Sequence, residues 1–175
     1  RRLDELAQKL EKFSYRVLKE ECLDLPPKVF TTRTVDLSDE QKKMYITMKN
    51  AAIAEQNGKI MSSMSALTTL LRLHQITCGH MKTDDGEILP IKNNRLTALM
   101  ECLDEIEGKV IIWANYREDI KNIVESLKKA YGDASTVEYH GGVDPRVRQE
   151  NIALFQEKNG PTRYFVGNAQ TGGYG

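Results

Sequence analysis

Lys109-Val110-Ile111-Ile112-Trp113-Ala114 is a continuous apolar run, too uniform to leave one wet face, and it reads as a strand buried on both sides with Trp113 in the core. The segments after it constrain the architecture. Ile120, Ile123, Val124, Leu127 and Tyr131 recur at helical spacing up to Gly132, and Thr136-Val137-Glu138-Tyr139-His140 reads as a second strand. Asp144-Pro145 sets an N-cap with proline in the first turn of another helix, which carries Val147, Leu154 and Phe155 on one face. Thr162 to Val166 is a third strand. Short buried strands separated by helices predict an α/β fold with a parallel sheet and right-handed crossovers.

Ligands of such sheets sit beyond the carboxyl ends of the strands. Three loops should therefore share one rim: Asn115, Tyr116 and Arg117; His140, Gly141 and Gly142; and Gly167 through Thr171. They offer amides, a histidine, an arginine and small polar side chains, with no nucleophile beside a base. That set suits gripping a phosphate backbone better than breaking a bond. Gly172, Gly173 and Gly175 extend the last loop, and glycines after a strand let backbone amides point outward at a phosphate. A natural domain rarely ends on such a turn, so this end is read as a cut, as is the start on Arg1-Arg2. The blander readings are a solvated helical turn for Arg117 and Lys121, a strand-end packing residue for His140, and a pairing with a nearby acid for Arg148.

The first half is mainly helical. Leu3, Leu6, Ala7, Leu10 and Phe13 recur at helical spacing until Pro26-Pro27 breaks the chain. Val29 to Leu37 alternates as a strand. Ser38-Asp39-Glu40-Gln41 has the spacing of a capping box and starts a helix carrying Met44, Tyr45 and Met48 inward, with a stop at Asn57-Gly58. A further helix from about Ser62 carries Leu67, Leu70, Leu71 and Ile76 and closes at Gly79, and Thr83-Asp84-Asp85-Gly86 is a turn. Leu96, Leu99, Met100, Leu103 and Ile106 make the next helix, ending at Gly108. Met44, Met48, Met61 and Met64 read as adaptable core or a helical-subdomain interface, not a metal site.

Lys plus Arg and Asp plus Glu are both 25, so a nucleic-acid surface would be a local stripe rather than a basic field. Cys22, Cys78 and Cys102 form no paired motif and read as reduced intracellular thiols; Cys78-Gly79-His80 is a helix end, not a metal site. No apolar run is long enough for a membrane span, and the expected setting is intracellular, cytoplasmic in a bacterium or phage and nuclear in a eukaryote.

Several stretches, in order, resemble the second motor lobe of the Swi/Snf-related, helicase-like ATP-driven DNA translocases. Phe13 to Lys19 with Leu25-Pro26-Pro27-Lys28 looks like the segment linking the two lobes, and Val35 to Tyr45 resembles the strand and helix that come next. Leu71-Arg72-Leu73-His74-Gln75-Ile76-Thr77-Cys78-Gly79-His80 is similar to a family helix ending in a histidine. Lys109 to Tyr116 looks like helicase motif IV; His140-Gly141-Gly142 with Arg148 and Phe155 resembles the following loop and helix; Gly167 to Gly175 looks like motif V.

The resemblance implies a truncated RecA-like parallel sheet with flanking helices, preceded by a mainly helical subdomain. Residues 1–27 would be the inter-lobe linker, 28–92 a strand plus helical subdomain, and 93–175 the first part of the second lobe. It implies duplex DNA and the absent first motor lobe as partners, with ATP and Mg2+ belonging to the parent protein. Asn115, Tyr116, Arg117, His140, Gly141, Asn168, Gln170, Thr171 and Gly172 would contact DNA, and Gly173 and Gly175 would couple to ATP. The family commonly has hydroxyl residues where this chain has Asn168-Ala169, so Asn168, Thr171 or backbone amides would supply the phosphate hydrogen bond. The resemblance implies a DNA-dependent ATPase for the parent; because no Gly-x-x-x-x-Gly-Lys-Ser/Thr pattern and no arginine-rich finger motif occurs here, this stretch alone is expected to be inactive, with no catalytic or metal-binding residue. The alternatives are an α/β module for a small phosphorylated ligand and a structural lobe for protein partners.

Overall fold

The computed structural model describes residues 3–10, 13–15, 17, 22, 24, 26–56, 63–83 and 85–173. The chain divides into two compact units, Arg1–Thr34 and Val35–Gly175. The first contains helix α1 (Leu3–Leu10), whose last carbonyl, Leu10 O, accepts from the amides of Phe13 and Ser14 and from the Ser14 hydroxyl. Residues 29–37 form no strand, contrary to the alternation of their side chains. A strand is a two-party structure, and no other segment pairs with this one among the described residues; Val29 and Phe30 stay exposed.

The second unit starts as the capping box predicts. Gln41 N–H donates to Ser38 Oγ at 3.1 Å and Ser38 N–H donates to Gln41 Oε1 at 3.0 Å, opening α2 (Asp39–Gln56). The same residues then tie distant backbone together. Gln41 Nε2 donates to the carbonyls of Ile76 (2.8 Å) and Thr77 (3.2 Å) at the end of α3 (Ser63–Cys78), and Ser38 Oγ donates to Lys92 O at 2.6 Å. Gly79 closes α3 with φ +90°, and an added Cβ there would lie 2.0 Å from Asn93 Nδ2. The expected stop at Asn57-Gly58, the start near Ser62 and Met61 lie outside the described residues. Leu67, Leu70 and Leu71 are at least half exposed, whereas Gln75, Ile76 and Cys78 are buried; α3 is buried at its carboxyl end rather than along its leucines.

A small antiparallel hairpin follows, β1 (His80–Lys82) and β2 (Ile88–Pro90), with Gly86 N–H donating to Thr83 O at 3.1 Å between them; Asp84 of the expected turn lies outside the described residues. Then come α4 (Arg95–Asp104), β3 (Val110–Trp113), α5 (Arg117–Tyr131), β4 (Thr136–Tyr139), α6 (Pro145–Gln156), β5 (Tyr164–Gly167) and the short α7 (Ala169–Gly172). Arg146 N–H donates to Asp144 Oδ1 at 2.8 Å, so the predicted N-cap of α6 is in place.

The three main strands are parallel in the order β3-β5-β4, with Trp113, Gly167 and Tyr139 level at their ends. The last strand in sequence is the central one and is buried throughout. Leu103, Ile112, Ile120, Val124, Leu127, Tyr164 and Val166 form the core between this sheet, α4 and α5. β3, one of the two edge strands, is not buried on both faces: Ile111 is 51% and Trp113 47% exposed, while Ile112 is buried. Trp113 shares the exposed face with Ile111, contrary to the expectation of a core Trp113; an all-apolar run does not encode which face is covered.

Candidate nucleic-acid interface

Because the strands are parallel, the loops after β3, β4 and β5 do emerge on one edge. The ladder continues one step beyond the strands: Ala114 N–H donates to Gly167 O at 2.9 Å and Asn168 N–H to Tyr139 O at 3.0 Å. Asn168 knits the rim. Its Nδ2 donates to Ala114 O (3.2 Å) and Asn115 O (2.9 Å), and its Oδ1 accepts from Gln170 N–H at 2.9 Å, capping α7. Both donor hydrogens of that amide are used, so a phosphate bond from Asn168 would require breaking one of these.

Arg117, Gly141, Gly142 and Thr171 come together. A methyl on Gly141 would lie 3.9 Å from Arg117 Nη2 and 4.0 Å from Thr171 Oγ1, and one on Gly142 would lie 3.4 Å from Arg117 Nη1. Arg117 is exposed and has no ion-pair partner among the described residues. It opens α5, whose next two residues, Glu118 and Asp119, suit the positive end of the helix dipole. His140 shapes the turn: its Nδ1 accepts from Gly142 N–H at 3.0 Å, which places the ring proton on Nε2, 3.5 Å from the Glu138 carboxylate. Gln170 is exposed on α7, and Asn115 is exposed with its carbonyl held by Asn168. Arg148 stacks over Tyr139 at 5.6 Å and has no ion-pair partner among the described residues.

The glycine-rich stretch differs from its reading as an open phosphate cradle. Residues 169–172 are helical, and the amides of Thr171, Gly172 and Gly173 donate inward, to Asn168 O, Asn168 O and Ala169 O. None of Gly167, Gly172 and Gly173 has a positive φ. What excludes a side chain is close approach: an added Cβ on Gly172 would lie 2.6 Å from Trp113 Cη2, and one on Gly167 would lie 2.8 Å from Tyr139 O and 3.0 Å from Trp113 Cζ3. The Trp113 ring covers this turn. Sequence reasoning missed it; a large aromatic ending the neighbouring strand was the available signal. Gly173 N–H closes α7, and Gly175 lies outside the described residues.

Tyr116 points elsewhere. Its Oη is 2.8 Å from His74 Nδ1, its ring packs edge-on against His80 at 5.0 Å, and burial, followed by Cys78 and Asp119, pushes its phenol up. A cavity of about 400 Å³ lies off the rim, lined in part by Cys78, Arg95, Leu99, Trp113, Asp119 and Ile123. The Cys78 thiol is pushed up by burial and by Asp119, which leaves it protonated and poorly nucleophilic.

The fold matches solved structures. The Sulfolobus solfataricus SWI2/SNF2 ATPase core domain superposes with a TM-score of 0.64 at 22% identity, covering 95% of this chain and 36% of that one. The SWI2/SNF2 ATPase C-terminal domain of the same organism gives 0.58 at 21%, covering 77% and 60%, and the core in complex with dsDNA gives 0.62 at 23%, covering 94% and 36%. The chain thus spans about a third of the core chains it matches and 60% of the C-terminal domain. The predicted α/β fold, a small parallel sheet of RecA-like type flanked by helices, is borne out. No family model and no curated protein matches the sequence. No helix among the described residues is long and apolar enough to cross a membrane.

Proposed function

We propose that this chain is part of the second lobe of a Swi/Snf-related, ATP-dependent duplex-DNA translocase, and that its strand-end rim grips the phosphate backbone. The observation that carries the reading is the Arg117 guanidinium, without an ion-pair partner among the described residues, beside the Gly141–Gly142 turn and the Thr171 hydroxyl: a cation and a hydroxyl donor on one exposed edge. The similar SWI2/SNF2 core solved with dsDNA supports duplex DNA as the ligand.

Thr171 and Arg117 would touch phosphate; Gly141 leaves the approach open; Asn168, His140 and Gly172 hold the shape of the turn, and Gln170 and Asn115 flank it. The Gly173 and Gly175 end of the turn would relay nucleotide state to the DNA grip. ATP and Mg2+ do not fit this chain by itself. The sequence has no phosphate loop, and among the described residues no group of three His, Cys, Asp or Glu could hold a metal ion. They are assigned to a site completed by the first lobe, in an intracellular parent with DNA-stimulated ATPase activity.

The test is duplex binding by the 175-residue chain at several salt concentrations. A grip on phosphates loses affinity steadily as salt rises from about 50 to 200 mM. Affinity independent of salt, or competition by a mononucleotide as effective as by duplex, would reject the backbone grip and favour a small phosphorylated ligand.

A further inference from the structure

His80 is 3% exposed and opens β1, directly after the glycine that ends α3. Its Nδ1 lies 3.3 Å from Asp119 Oδ1, and the Asp119 side chain is itself only 11% exposed. The contact falls short of hydrogen-bond geometry, which leaves Nδ1 a buried polar atom whose remaining attraction is to that carboxylate. Buried polar atoms without a bond are rare, so a packing role alone would be served better by an apolar side chain.

Two residues at the start of α5 meet His80. Tyr116 precedes α5 and is clasped between the His74 ring (5.4 Å, with the 2.8 Å bond to its hydroxyl) and the His80 ring (5.0 Å). Asp119 lies in the first turn of α5. Between them in sequence is Arg117, the exposed cation of the rim. An α-helical turn is stiff, so fixing the residues on both sides of Arg117 fixes where its guanidinium starts.

We propose that His80, assisted by His74, is a positioning residue for the rim: by holding Tyr116 and Asp119 it sets the start of α5, and so places Arg117 over the Gly141–Gly142 turn. The effect on DNA rests on the reading of Arg117 as a phosphate contact; the effect on Arg117 itself does not.

The two sources of a His80 effect separate by substitution. His80→Asn keeps a polar nitrogen near the Nδ1 position but loses ring volume; His80→Leu keeps apolar volume but loses the nitrogen. The readouts on the 175-residue chain are the Arg117 Nε–Hε resonance, assigned by its disappearance in Arg117→Lys, and duplex affinity at fixed salt. His80→Leu is expected to shift the Arg117 resonance and to weaken duplex binding by about tenfold, the equivalent of one charge-assisted contact, with His80→Asn near the parent. The reverse order, or an unmoved Arg117 resonance in both, overturns the proposal. If the parent chain binds no duplex, the phosphate grip fails while the resonance still decides the positioning role. Should both His80 variants unfold, His74→Ala and Tyr116→Phe take their place: a shifted Arg117 resonance supports the proposal, and an unchanged one overturns it.

Discussion

Gly167 and Gly172 both lack a side chain because something lies above them, but the two neighbours differ in how far they can yield. A Cβ on Gly167 meets the Tyr139 carbonyl, part of the sheet backbone, at 2.8 Å. On Gly172 it meets the far edge of the Trp113 ring, a side chain that is 47% exposed, with Tyr139 Cδ1 at an ordinary 3.6 Å. Gly167→Ala should therefore cost about 2–3 kcal/mol in urea unfolding. Gly172→Ala, at the last residue of a one-turn helix and opposed by a half-exposed side chain, should cost less, about 1 kcal/mol. Trp113 is the one tryptophan of the sequence, so its emission should shift in Gly172→Ala. A larger loss at Gly172 than at Gly167 would show that the ring, not the carbonyl, is the rigid partner. Tyr131 gives a pH-dependent counterpart. Its hydroxyl donates to Asp104 at 2.7 Å, and that bond, then burial and Tyr164, raise its pKa. The folded state thus favours the neutral phenol, so its contribution is complete below the ordinary value of about 10 and falls as pH rises beyond it. The melting difference between the parent chain and Tyr131→Phe should shrink as pH is raised from about 9 to about 11; a constant difference would mean the bond contributes nothing that titrates.

Among the elements, those legible in the sequence were the ones specified locally. Ser38 and Gln41 announce a helix start because both partners of a capping box lie within one turn, and Asp144-Pro145 does the same for α6. The strands β3, β4 and β5 were legible as apolar runs between helices. Residues 29–37 were misread because alternation says what a strand would bury, not whether a neighbour exists to pair with it. The β1–β2 hairpin was missed because strands of three residues carry too little pattern. Gln41 shows what local reading leaves out: beyond capping α2 it is 1% exposed and bonded to two carbonyls at the end of α3. Gln41→Ala should accordingly cost more than a surface cap, about 2–3 kcal/mol, by adding the loss of the cap to two buried acceptors left unpaired. Urea unfolding measures it, and a loss under about 0.5 kcal/mol would mean that water replaces the amide.

In the whole molecule, strand order is what no single stretch reveals. The strand last in sequence sits in the middle, so Trp113 ends on an edge and the three loops close on one another through Asn168. The parallel arrangement also gives the sheet two unlike ends, each with its arginine. At the amino end, Arg163 donates from Nε to Gly108 O at 2.8 Å and from Nη2 to the carbonyls of Leu103, in the last turn of α4, and Ile106, just past it, where a cation suits the negative pole of the helix. At the carboxyl end, Arg117 has no such partners among the described residues. Equal charges at the two ends therefore predict unequal consequences. Arg163→Ala should lower stability by about 1–3 kcal/mol and leave the salt dependence of duplex binding unchanged wherever the protein is folded. Arg117→Ala should leave stability nearly unchanged but flatten the plot of log affinity against log salt by about 0.9, the share of one phosphate. Binding isotherms at several salt concentrations distinguish the two. If Arg163→Ala flattens the slope as much as Arg117→Ala does, the DNA lies along a different face and the strand-end rim is not the grip.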